Sequence, residues 1–112
     1  MLPVLAGLLL GGLIVVACWD DIVNWLKDLI PKVKAALSGI AHAVKMFGKK
    51  VKNAAVHIIH RLFYKEQGKW IEETTKREVP ESEVPDWALE SISQQETDIS
   101  EGIKEELEMS LS

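Results

Sequence analysis

Apolar and polar positions are segregated along the chain. The opening run MLPVLAGLLLGGLIVVAC carries no charged side chain. Leu2 to Cys18 make 17 residues, which as a helix would extend about 25 Å. That is the short end of the roughly 17–25 residues that cross a bilayer. Trp19 and Trp25 follow, and amphipathic indoles favour the headgroup level. Asp20 and Asp21 end the run, because carboxylates are costly in hydrocarbon. The pattern predicts a single membrane-inserted helix over residues 1–19. Gly7 and Gly11 form a GxxxG with Gly12 beside it, a face on which helix backbones approach closely in lipid.

From Asp20 to about Leu62 the spacing is helical. Apolar residues recur in threes and fours through Ile22, Leu26, Val33, Leu37, Ile40, Val44, Phe47, Val51 and Ile58. Ile22, Val33, Val44 and Ala55 are eleven apart, a repeat that keeps one stripe facing a partner. Lysines such as Lys27, Lys34, Lys45 and Lys49 lie off the stripe. The expectation is a long basic amphipathic helix over 20–62, started by Asp20 or Asp21 and kinked or broken near Pro31. Gly39 and Gly48 would weaken it locally. No second long helix is available to cover the stripe. Lipid or further copies of the chain would have to do so, which implies a homo-oligomer.

Near Leu62 the period changes. β-favouring residues flank Gln67-Gly68-Lys69, which predicts a hairpin over 62–79. Pro80 and Pro85 bracket an acidic turn, and Pro85 suits the first turn of a short helix over 85–93. Ser93 and Glu96 have capping-box spacing, and Ile99, Ile103 and Leu107 recur every four residues in a second short helix over 97–110. The fold class expected is mainly α: a membrane-inserted helix, a kinked amphipathic helix, a small hairpin and short acidic helices.

Charge sharpens this division. The 112 residues have a net charge of −4, but residues 19–64 hold eight Lys and Arg against three acids, and residues 65–112 hold five against fourteen. Lys27, Lys32 and Lys34 follow the apolar run and no basic residue precedes it, so the positive-inside rule places a cytoplasmic C-terminus after a single pass. With Trp19 and Trp25, these lysines are the expected membrane-interface residues. An alternative treats 1–17 as a signal cleaved before Cys18, since Val15-Val16-Ala17-Cys18 has the small-residue pattern preceding a lipidated cysteine. The lone cysteine excludes an internal disulfide and a Cys-based zinc site.

Candidate chemistry adds little. His57 and His60 are three apart, whereas a helical metal pair uses four, and no acid lies between Asp28 and Glu66. They read as polar-boundary residues, with no metal and no cofactor expected. No phosphate loop, HExxH or GxSxG occurs, so no catalytic residues and no enzyme are expected. Nucleic acid is not an expected partner, because the basic segment is followed by an acidic one. The function expected is a small homo-oligomeric membrane protein that forms or gates a pore or perturbs the bilayer, in the manner of a toxin or defence effector. The alternative is a membrane-anchored adaptor whose acidic C-terminal region recruits a cytoplasmic protein.

Overall fold

A computed structural model describes residues 13–111, and in it the chain is a mixed α/β fold built on one five-stranded sheet. A short strand β1 (Leu13–Val15) leads into helix α1 (Trp19–Ala36). Three long strands follow, β2 (His42–Val51), β3 (Ala55–Glu66) and β4 (Lys69–Pro80). A 3-10 turn (Glu81–Glu83), helix α2 (Asp86–Ser91), strand β5 (Thr97–Asp98) and helix α3 (Ser100–Leu111) complete it. The sheet order is β1-β4-β3-β2-β5, antiparallel throughout except for the β1–β4 pair.

The expected mainly α fold is therefore corrected, and the long amphipathic helix with it. α1 ends at Ala36 because Gly39 adopts φ +78°, a conformation that turns the chain out of the helix at little cost only for glycine. Residues 42–66 are β-branched and aromatic to a degree that suits strands, and an eleven-residue repeat cannot distinguish the two readings over so short a run. The stripe is consequently divided. Ile22, Leu26 and Val33 are buried along α1 and Leu37 at its C-cap, and Ile40 lies in the loop after it. Val44 and Ile58 share one face of the sheet, whereas Phe47 and Val51 share the other. Pro31 sits inside a continuous α1.

The single-pass membrane reading is likewise corrected. Among the described residues no helix is long and apolar enough to cross a membrane. Leu13–Val15, the tail of the apolar run, is a strand hydrogen-bonded to β4 in the register Leu13↔Lys76 to Val15↔Glu78. Gly7, Gly11 and Gly12 lie outside the described residues, so the helix-packing face is not among the features seen. Among the described residues, a single-pass topology with a cytoplasmic C-terminus has no helix to rest on.

The sheet has an inner face covered by helices and an outer face. Along β3, Val56, Ile58, His60, Leu62 and Tyr64 point inward and are all buried. α1 lays its stripe over them in two apolar clusters. Ile22 and Leu26 join Val56, Ile58 and Val79, while Leu29, Val33 and Leu37 join Leu62 and Tyr64. Each fully buried aliphatic side chain contributes roughly 1.5–3 kcal/mol, so the α1 stripe is a principal source of stability. The long strands are tied by tight turns. Gln67 and Gly68 have φ +52° and +78°, the signs that a two-residue hairpin turn of the favoured twist requires.

The C-terminal helices are locked to the start of α1. Trp19 and Trp87 meet edge to face at 6.1 Å, and both indole Nε1–H groups donate to Glu106, at 3.3 and 3.2 Å. Asp98, rather than Ser93, caps the final helix, its Oδ1 accepting the Ser100 amide at 2.9 Å. Gly102 lets α3 approach Trp87 so closely that a Cβ there would collide with the ring. Gly102→Ala is expected to destabilise the fold by about 1–3 kcal/mol, the range for overpacking a rigid neighbour. Urea titration followed by tryptophan fluorescence measures it, and an unchanged midpoint would refute this account of the helix contact.

Candidate binding slot and the polar band beside it

Inner-face positions of a sheet are normally covered. Val44 is an exception, facing the helices yet 39% exposed. The reason is geometric. α1 covers β3 and β4, while α3 is anchored at the opposite edge, where the Ile99 amide bonds Met46 O at 2.9 Å and the Met46 amide bonds Ser100 Oγ at 2.9 Å. Between the two helices a slot of about 340 Å³ remains over β2. Val44 and Met46 form its floor, Ile30 one wall, and Ile103 and Leu107 the other. Lys34 and Lys104 stand at the rim, one on each helix. The Ser100 hydroxyl also lines it, but is engaged with the Met46 backbone. The slot therefore offers apolar contact with cationic edges, in the size range of small-ligand sites at about 300–1,000 Å³.

Beside this floor runs a polar band. His60 is paired with Met46 on one side and Thr75 on the other. It is fully buried, stands edge-on to Trp25 at 6.3 Å, and has no hydrogen-bond partner for either ring nitrogen among the described residues. Thr75 Oγ1 is equally unpartnered. Burial lowers the His60 pKa to about 4, so the ring is neutral at pH 7. Tyr64 donates to Glu73 at 3.0 Å, and burial together with that bond pushes its pKa up to about 12. The Arg77 guanidinium lies over the Trp25 ring at 4.3 Å, and burial lowers its pKa as well. His60 and Thr75 lie along the sheet between Ile58 of one apolar cluster and Leu62 of the other.

The sequence-derived candidates are distributed differently. Trp19 is buried in the clamp with Glu106, and Trp25 is half-buried between His60 and Arg77. Lys32 pairs with Asp28 at 3.0 Å, Lys27 is half-buried, and only Lys34 of the interface set reaches the slot. Of the stripe, only Val44 lines it. His57 and His60, three apart, fall on opposite faces of β3, since an odd separation in a strand reverses the side. His57 bonds Glu78 at 2.9 Å on the outer face, where Arg61 also binds Glu72 and Glu96 at 3.0 and 2.6 Å. Among the described residues no group of three His, Cys, Asp or Glu is placed to hold a metal. The sequence reading missed Ile30, Met46, Lys104 and the burial of His60. The β-strand parity of 42–66, which puts Val44, Met46 and His60 on one face, was the signal available for part of this set.

Burial of neutral His60 makes stability pH-dependent. Between its ordinary pKa of 6.5 and about 4, the unfolded chain takes up a proton that the folded chain does not. Stability from this group is thus complete above pH 6.5 and falls by roughly 2–3 kcal/mol on acidification to about pH 4.5. Urea unfolding of the wild type against His60→Leu across this window isolates the effect. The variant is expected to lose that part of the slope and to be no less stable at pH 7; equal slopes would refute it. Comparison with family models, with curated proteins and with solved structures finds no match for this chain.

Proposed function

We propose that this chain is a small non-enzymatic binding protein that receives an apolar chain in the slot between α1, β2 and α3. The observation that carries the proposal is Val44. It is a core-side residue that the fold leaves open, in a depression walled by Ile30, Ile103 and Leu107. Isolated apolar side chains on a surface need no explanation, but a concave apolar lining with few polar groups is the common form of a ligand site. The slot is bounded by eight residues, which suits a slender chain better than the long groove an amphipathic helix occupies.

Support from chemistry is consistent with binding rather than turnover. The slot lining contains no carboxylate, histidine, cysteine or tyrosine that would act as acid, base or nucleophile. Its hydroxyl, on Ser100, is engaged with backbone. Residues 13–66 form a strand, one helix and two further strands, so the long amphipathic helix on which a pore would be built does not occur among the described residues.

The test uses the neutral fluorophore N-phenyl-1-naphthylamine, whose emission rises in apolar surroundings. Saturable binding is expected, and Val44→Trp, which fills the slot from its floor, should weaken it at least about tenfold, a loss near 1.4 kcal/mol. Unfolding of the variant followed by circular dichroism confirms that the fold persists. No saturable signal, or equal binding by Val44→Trp, would overturn the proposal.

A further inference from the structure

The rim of the slot carries information that its floor does not. The chain as a whole has 17 acidic and 13 basic residues, and its C-terminal half is strongly acidic. The slot nevertheless has two charged lining residues, Lys34 and Lys104, both cationic, with no Asp or Glu among the residues lining it. They come from different helices and face one opening. Neither is in an ion pair among the described residues, whereas neighbouring Lys32 on the same helix is held by Asp28 at 3.0 Å. Two like charges brought to one rim by separate elements repel each other mildly, and an anion between them removes that repulsion.

We infer that the slot takes a single-chain anionic amphiphile, its alkyl chain over Val44 and Met46 and its carboxylate between Lys34 and Lys104. The inference rests on the slot reading above and adds the class of head group. The apolar floor gives affinity in proportion to area removed from water and does not discriminate among head groups. The two ammonium groups supply the discrimination. Each is a compact point charge on a flexible stem, able to follow a carboxylate whose position varies with chain length. Their methylene stems add to the apolar walls, so the lysines serve the chain and the head alike. Both are exposed, so the electrostatic share of binding is modest and is screened by salt.

Three ligands matched in chain length separate head from tail: decanoate, decanol and decylamine, titrated calorimetrically below their micelle-forming concentrations at pH 8. Decanoate is expected to bind about tenfold more tightly than decanol, and decylamine more weakly than either. Raising the salt concentration from low to physiological should erode the decanoate advantage and leave decanol unchanged. The double variant Lys34→Met, Lys104→Met, which removes the charges and keeps apolar stems, is expected to lose the preference for decanoate over decanol, and circular dichroism reports an intact fold. If decanol binds and decanoate has no advantage, or if the double variant keeps that advantage, the head-group inference is overturned while the slot stands. If none of the three binds, the slot reading falls as well. Phosphatidylglycerol vesicles supply the remaining arm: cosedimentation that requires the two lysines but survives Val44→Trp would assign them to a bilayer surface and overturn the inference.

Discussion

The structure depends on one face-to-face contact, the seating of the α1 stripe on the inner face of β3. β3 is hydrogen-bonded along its length on both sides, to β2 and to β4, so its inner side chains have no route to solvent except upward. Ile58 and Leu62 must be covered, and α1 is the long apolar stripe that covers them. An 18-residue helix spans about 27 Å and is one side chain wide, whereas the sheet is several strands across. One helix therefore cannot cover it. The shortfall over β2 is met partly by α3, and the part left unmet is the slot at Val44.

The second constraint is how α3 is held. Its approach requires Gly102 beneath the Trp87 ring, and its position is set by Glu106 accepting from two indoles that also touch each other. Charge-assisted bonds from tryptophan to a half-buried carboxylate are directional, so they fix the helix in rotation as well as in distance. At the other edge, Gly48 provides the room for Ile92 against the sheet. α3 is thus held at Trp87 through Gly102 and at β2 through the Met46 backbone, and the gap between it and α1 follows from where those contacts lie.

Between Ile58 of one apolar cluster and Leu62 of the other lies the buried pair His60 and Thr75. A buried polar atom without a partner costs free energy, and burial separately disfavours the charged ring, which lowers the His60 pKa. The fold tolerates it because the ring packs against Trp25 and stays neutral. The same Trp25 also carries Arg77, so one indole packs against two ionisable groups whose charged forms burial disfavours.

Much of the local structure was legible and the assembly was not. The turn at Gln67-Gly68 was visible because a glycine flanked by β-favouring residues acts over four residues. The stop at Gly39 was visible as a weak point but not as an end, since its positive φ is decided by the loop it enters. Over 42–62 the residues permit both a helical stripe and alternating strands. The choice went to strands only because β3 finds partners on both sides, a gain that no window along the chain contains. By itself the sequence determined where apolar segments, turns and charge blocks lie, because these depend on neighbours a few residues away. Only the tertiary structure decided which faces meet, that His60 is buried, and that Lys34 and Lys104 share a rim across 70 positions. Those outcomes follow from packing between distant elements, where the burial of one surface leaves another open.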